Sequence, residues 1–407
     1  MQKINALRRH RTPVEEPVPL VCPSYRGASK ETFTVVHVTR TPYACARFPR
    51  QGKRLSIPLA TLMFVLFAGT AFSAPAAQRP SANSNERAVA DFYRGKVVRI
   101  VVGFPPGGGA DVYSRILARY LGHSIPGNPT VAVTNMPGAG SIIAGNHIFN
   151  AGATDGTEIG MLNGAVILEQ LFGNPAVQFD MARFRYLAVP VTEIYVMIVT
   201  RDSGITRFSE LIGAKAKQAV LGAIPNSTLE HAPILLRDAL NVNLKVVSGY
   251  KGSADIRLAI DSGEIGGFFN PWSTVKASSL DKFASGQWSV ILQLSDQSLP
   301  DLPSANVPTI ADLTADESQR MLLRYGTLAP NQFGKVYMLR PGVPAARAAA
   351  LEAAFARTFA DPNFQAEAEK SQLEISPLYG ESIRQIVGDF LTMPPAIKER
   401  LKRSLKR

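Results

Sequence analysis

The sequence predicts an α/β protein of two lobes, each a sheet flanked by helices, joined by two extended crossings. Short apolar strands alternate with amphipathic helices, the pattern of α/β folds with parallel sheets. A strand, a polar elbow and a helix follow one another at least four times, twice before Tyr195 and twice after it. Beyond the leader about 330 residues remain, long enough for two lobes of ordinary domain size.

The front of the chain is of another kind. Residues 1–50 scatter Pro, Arg and Thr without periodicity and support no element. Arg50, Lys53 and Arg54 then precede an uncharged apolar run from Ile57 to Phe72, and Ala71-Phe72-Ser73-Ala74 supplies small residues. A positive flank, an apolar stretch and small residues at the scissile point make residues 51–74 a signal peptide, with cleavage expected after Ser73 or Ala74. The run is shorter than the ~20 residues that span a bilayer. A cytosolic extension followed by a buried strand is the competing reading. Signals normally sit at the very start, so the leader is expected to reflect a start codon placed too far upstream.

Removing that segment changes the composition. The whole chain carries 44 Lys/Arg and 32 Asp/Glu, a formal charge of +12, but residues 1–74 hold eleven of the basic and three of the acidic residues. The remainder is therefore only +4, and nucleic-acid binding loses its main support. Both cysteines, Cys22 and Cys45, lie in the leader, so the exported part is expected to have no disulfide, thiol nucleophile or thiolate ligand. No cysteine follows the apolar stretch to take a lipid. The expected product is a soluble periplasmic monomer with no cofactor.

Val97 to Val102 reads as a buried strand that ends in Gly103-Phe104-Pro105-Pro106-Gly107-Gly108-Gly109, with a helix beginning near Asp111. Val112, Ile116, Leu117 and Tyr120 share one face of that helix, which stops at Gly122. The arrangement recurs: Val131-Ala132-Val133 leads through Asn135-Met136-Pro137-Gly138-Ala139-Gly140 into an apolar helix starting near Ser141. A glycine-rich turn into a helix start exposes backbone N–H groups at the positive end of the helix dipole, where small anions bind. Two such starts on successive strands predict one carboxylate or phosphate site beyond the strand ends.

Tyr186 to Thr200 is a long extended apolar stretch, read as the first crossing. Ala219-Val220-Leu221 passes through Gly222-Ala223-Ile224-Pro225-Asn226-Ser227-Thr228 into a helix over 229–240. Ile265 to Phe269 passes through Asn270-Pro271-Trp272-Ser273 into another. The chain is expected to return through Leu322 to Pro330, after which an alanine-rich helix over 344–360 and a C-terminal helix past Lys398 and Arg400 pack on the first lobe. The expected division is 92–195 plus 320–407 for lobe 1 and 196–319 for lobe 2. Two lobes on two extended hinges make a clamshell for small-ligand capture.

Tyr93-Arg94-Gly95-Lys96, the Gly103 to Gly108 elbow with Asp111, the Asn135 to Gly140 loop, and Leu302-Pro303 with Val307-Pro308-Thr309 resemble the extracytoplasmic solute receptors of tripartite tricarboxylate transporters, the Bug family. The Leu-Pro and Val-Pro-Thr halves stand two residues further apart than in the family, and Tyr325 to Pro330 also fits. The resemblance covers Phe92 to Arg400. It implies two Rossmann-like lobes in a periplasmic-binding-protein-like (type II) clamshell. It also implies capture of a small carboxylate by backbone amides, with delivery to the permease subunits of such a transporter.

Position by position, the resemblance implies a ligand carboxylate between Phe104, Pro106, Gly107, Gly108 and Gly109 on one side and Gly138, Gly140 and Ser141 on the other. Asp111 would meet an amino group where the ligand has one. Asn163 joins this wall, and Ala223, Asn226, Ser227, Thr228 and Asn270 would close from the second lobe. The chain departs from the family at Ile224-Pro225-Asn226, where a glycine- and serine-rich turn is usual. Pro225 has no N–H to offer, so the distal end of the ligand is expected to differ. The ligand itself stays open among di- and tricarboxylates, amino acids and aromatic acids.

Structural roles compete at several of these positions. Asp111, Ser141, Ser227 and Thr228 are all helix-capping types. His231 suits a satisfied core histidine, and Trp272 is wall or core. Gly107-Gly108-Gly109 lacks the third glycine of a dinucleotide fingerprint. No P-loop or G-x-S-x-G occurs, Ser273-x-x-Lys276 and Ser279-x-x-Lys282 lack their partner motifs, and the five histidines are dispersed. Catalytic and metal-ligating residues are therefore not expected. A secreted hydrolase of a carboxylated substrate and a receptor feeding a sensor kinase remain the alternatives.

Overall fold

The computed structural model describes residues 82–304 and 306–406. The leader, the signal peptide over 51–74 and both cysteines lie outside the described residues. Strands Val97–Val102 (β1), Thr130–Asn135 (β2), Glu158–Leu162 (β3) and Arg185–Val189 (β4) come before the first crossing. Tyr195–Thr200 (β5), Ala219–Ala223 (β6), Leu244–Ser248 (β7), Gly267–Pro271 (β8) and Trp288–Leu294 (β9) follow it, then Val336–Leu339 (β10) and Leu378–Tyr379 (β11).

They form two sheets, a six-stranded one in the order β11-β4-β10-β3-β1-β2 and a five-stranded one in the order β7-β6-β8-β5-β9. This is the two-lobed type II clamshell. Each sheet is mixed rather than parallel: β1 runs parallel to β2 and β3, but β10 is antiparallel to β3 and β4. In the second sheet β6 is parallel to β7 and β8, while β5 is antiparallel to β8 and β9. The reason is directional. β5 and β10 are the strands by which the chain enters each lobe from the other. They start at the cleft, whereas β1, β3, β6 and β8 end there.

Strand alternation sorts side chains onto two faces. Val98, Ile100 and Val102 of β1 and Tyr337 and Leu339 of β10 enter one core with Leu117, Leu351 and Phe355 of the covering helices. Val101, Val336 and Met338 point the other way, into a core that continues through Val196 and Ile198 of β5 to Phe268 and Leu235. Full burial of each such side chain stabilises the fold by about 1.5–3 kcal/mol.

Two sequence expectations are corrected. The predicted return from Leu322 to Pro330 is not extended. Its residues fall in Glu317–Leu323, a π-turn over Arg324–Leu328 and Ala329–Asn331, all helical. Gly326 packs there against Leu235 and Leu401, and the chain re-enters the first sheet only at Val336. The C-terminal helix Pro395–Leu405 packs on helix Thr228–Leu240 of the second lobe, not on the first. Helix Ala345–Ala360 does pack on the first sheet, against β4.

Candidate functional site

Helix Gly109–Ser124 starts two residues earlier than the sequence suggests, with Gly108 as its N-cap. Asp111 is thus in the first turn, not the cap. Its Oδ2 accepts from the Gly107 N–H at 3.0 Å and from Arg115 Nε at 2.9 Å, while Asn135 Nδ2 donates to Oδ1 at 2.9 Å. Asn135 Nδ2 also holds the Phe104 carbonyl at 2.9 Å, so Asp111 ties the first elbow to the end of β2.

The same construction occurs twice more. In helix Thr228–Leu240, capped by Ser227, Glu230 Oε2 accepts from the Asn226 N–H at 2.8 Å. In helix Ser253–Asp261, capped by Gly252, Asp255 Oδ2 accepts from the Lys251 N–H at 3.2 Å. In each case an acid three residues past the cap reaches back to the amide before it, as in half of a capping box. The cap and first-turn N–H groups have no acceptor within their helix.

A cavity of about 50 Å³ lies between the lobes, and all three helix starts line it through Gly108, Gly109, Ala110, Ser227, Leu229, Gly252 and Ser253. Phe104, Asn163 and Asn270, also predicted, line it as well. Six of the predicted site residues (Phe104, Gly108, Gly109, Asn163, Ser227 and Asn270) thus meet at one cavity. The Ala165 N–H donates to Asn163 Oδ1 at 3.0 Å, so the amide NH2 is what Asn163 has to offer. Asn270 Oδ1 is likewise engaged, by Ser253 Oγ at 3.2 Å.

The other predicted residues are placed elsewhere. Gly107 gives its N–H to Asp111, and its carbonyl accepts from Arg257 of the second lobe at 3.3 Å. Pro106, Asp111, Gly138, Gly140, Ser141, Ala223, Asn226 and Thr228 do not line the cavity. Ser141 Oγ accepts from the Asn163 N–H at 3.0 Å, and Thr228 Oγ1 donates to Asn331 at 3.0 Å. Gly140, at φ +63, abuts the second lobe: a Cβ there would lie 2.4 Å from the Pro225 carbonyl oxygen and 2.8 Å from that of Asn226. A Cβ on Gly109 would meet Thr274 Oγ1 at 2.1 Å, and one on Gly252 would meet Pro105 Cγ at 2.5 Å. The cleft is therefore closed, glycine against the facing lobe at three points. Gly108 has φ −86, and a Cβ there would meet the Pro105 carbonyl oxygen at an ordinary 4.0 Å.

Lys335 is the charged one among several lining residues that the sequence reading missed, beside Tyr195, Gly252, Ser253 and Thr274. Among the described residues it is the only charged one on the cavity wall. Its Nζ pairs with Glu193, a carboxylate buried with it, which also accepts from Ser273 Oγ at 3.1 Å. The ammonium sits 4.8 Å from the centre of the Tyr113 ring. A single lysine immediately before a fully buried strand was the available signal. His231 is buried with its Nε2 3.4 Å from Glu169 Oε1 of the first lobe, and Trp272 Nε1 donates to Asp301 at 3.1 Å. Neither lines the cavity. Among the described residues no cluster of His, Cys, Asp and Glu is arranged to hold a metal.

Burial by itself would raise the Asp111 pKa. The hydrogen bonds from Arg115, Gly107 and Asn135 outweigh it and hold the carboxyl below its ordinary value. A depressed acid stabilises the fold above its unfolded pKa of about 3.9, and that contribution is lost as pH falls through the folded value. Asp111→Asn should therefore cost about 1–3 kcal/mol at neutral pH. In urea unfolding the gap to the parent should close below about pH 4. A gap that persists unchanged in acid would contradict this role.

No family model matches the chain. It is 27% identical over 245 residues to a UPF0065 protein of the tcbD-tcbE intergenic region of Pseudomonas sp. strain P51, covering 59% of this chain and 70% of that one. It is 26% identical over 231 residues to protein BugT of Bordetella pertussis, covering 55% and 68%. Among solved structures, the periplasmic binding protein BugD aligns with a TM-score of 0.59 at 21% identity, over 77% of this chain and 98% of BugD. An adipate-bound protein of R. palustris gives 0.60 at 17% identity, over 76% and 97%. Malate-bound MatC of Rhodopseudomonas palustris gives 0.56 at 16%, over 76% and 99%. By sequence the chain is similar to BugT and a UPF0065 protein, and by fold it is similar to the periplasmic binding protein BugD.

Proposed function

We propose that the protein is a periplasmic receptor for a small carboxylate that carries no ammonium group, held in the cavity between the lobes and delivered to a tripartite tricarboxylate-type permease. The observation that carries this reading is the polarity of the wall. Three helix starts, the Asn163 and Asn270 amides and Lys335 all offer donors, and among the described residues no Asp or Glu lines the cavity. Helix N-termini and amide donors suit carboxylate oxygens. An amino acid would bring an ammonium to a wall with no acid facing it, because Asp111 is committed to its own elbow. Phe104, Tyr195, Ile224 and Leu229 supply apolar surface for a short carbon chain. The malate and adipate held by two proteins of the same fold are carboxylates of this kind.

Thermal-shift screening of the purified protein tests the proposal against C3 to C6 mono- and dicarboxylates beside the matching amino acids. A ligand at a hundredfold excess over Kd raises stability by about 2.7 kcal/mol, a clear shift. Carboxylates should shift the transition and their amino-acid counterparts should not. Asn163→Ala should weaken the best carboxylate about tenfold, the loss of one hydrogen bond to a charged group. Binding of an amino acid in preference to its deaminated analogue would overturn the ligand class. Turnover of the hit would overturn the receptor role.

A further inference from the structure

The first lobe carries a second concave site, at the end of its sheet opposite the cleft. β4 begins there and β10 ends there, whereas at the cleft β4 ends and β10 begins. The concavity measures about 390 Å³ and is walled by four arginines, Arg183, Arg185, Arg340 and Arg384. Arg185 pairs with Glu352 at 3.1 Å, and Arg384 pairs with Glu381 one turn away on its own helix. Arg183 lies 5.2 Å from the centre of the Phe149 ring, and Arg340 donates to the Gly152 carbonyl at 2.5 Å. No carboxylate among the described residues pairs with either of these two.

Three guanidinium nitrogens in this cluster, Arg185 Nε, Arg340 Nε and Arg384 Nη1, are buried without a hydrogen-bond partner. Buried donors are nearly always paired, and a charged one is the costliest to leave unpaired. Ala345, the first residue of the 16-residue helix Ala345–Ala360, opens on the same concavity, and no acidic residue occupies that helix's first turn. Four guanidinium groups set against two carboxylates leave an excess of positive charge in one hollow. A helix start adds to it.

We infer that this hollow is a second ligand site, for a phosphate-class oxyanion. Guanidinium forks match tetrahedral oxyanions in pairs, and a helix N-terminus adds backbone donors. The group is either a free ion or the phosphate of an anionic lipid headgroup. The site is independent of what the cleft binds.

Calorimetry of the full chain with inorganic phosphate tests it, using Arg183→Gln/Arg384→Gln as the paired variant. These two arginines are chosen because neither bridges distant elements through an ion pair. The double variant should unfold at the parent's temperature in the absence of phosphate and bind phosphate about 30-fold more weakly, having lost two charge-assisted partners. Gly109→Val, in the cleft, should leave phosphate binding unchanged. Phosphate binding lost in Gly109→Val but retained in the arginine variant would place the anion in the cleft and overturn the inference. So would failure of the parent to bind either millimolar phosphate or phosphatidylglycerol vesicles. Sedimentation with phosphatidylglycerol but not phosphatidylcholine vesicles, abolished in the arginine variant, would identify a lipid headgroup. Binding of the free ion alone would identify a soluble anion.

Discussion

Gly140→Ala is expected to leave the protein folded and to cost it ligand affinity by about a hundredfold, equivalent to roughly 2.7 kcal/mol. The new methyl would stand 2.4 Å from the Pro225 carbonyl oxygen and 2.8 Å from that of Asn226, both backbone atoms of the facing lobe. Neither can swing aside as a side chain would, so the lobes must separate by a fraction of an ångström to admit it. The residue also sits at φ +63, which adds about 1–2 kcal/mol of local strain for any L side chain. Scattering should report a larger radius of gyration for the variant than for the parent at saturating carboxylate. Unchanged affinity would mean that ligand binding does not need this contact.

The largest stability effect is expected at the hinge. Lys335 and Glu193 are 142 residues apart in sequence and pair in the interior, one on each crossing. Lys335→Met removes the cation and leaves Glu193 buried with only Ser273 Oγ as a donor. Breaking a buried pair in this way costs about 3–5 kcal/mol, because the remaining carboxylate is uncompensated. Glu193→Gln combined with Lys335→Met should recover most of that loss, since an amide and a thioether carry no charge to bury. Urea unfolding of the parent, the single and the double variant measures the difference. A double variant no more stable than Lys335→Met would show that the lysine acts through packing. The single variant should also weaken carboxylate binding, since the same ammonium stands on the cavity wall.

Much of the fold was legible because its signals are local. β1 reads as a strand from its own apolar run, and helix Ala345–Ala360 from its own alanines. The helix starts at Gly109 and Thr228 follow from turn residues and caps within a few positions. An acid three residues past the cap is a sequence-level pattern too, since the hydrogen bond it makes spans only four residues. Helix Ser253–Asp261 carried that mark in Gly252 and Asp255 and went unread beside the more conspicuous elbows. The segment from Leu322 to Pro330 was misread because a buried apolar run looks alike in a strand and in a short helix.

The sequence by itself determined that the chain has four strand–elbow–helix units, and it marked two glycine-rich helix starts as suited to an anion. Only the tertiary structure decided which of them share a cavity. Gly138, Gly140 and Ser141 have the composition of a ligand loop, and within it Gly140 abuts the Pro225–Asn226 backbone of the facing lobe. Lys335 reaches Glu193, and Arg183 shares a hollow with Arg340, through chain crossings that no local spacing encodes. Hydrogen bonds within a turn depend on neighbours three or four residues away. Charge pairing and cavity walls depend on where distant strands are laid side by side, and that is settled by burying two sheets and their helices in one continuous core.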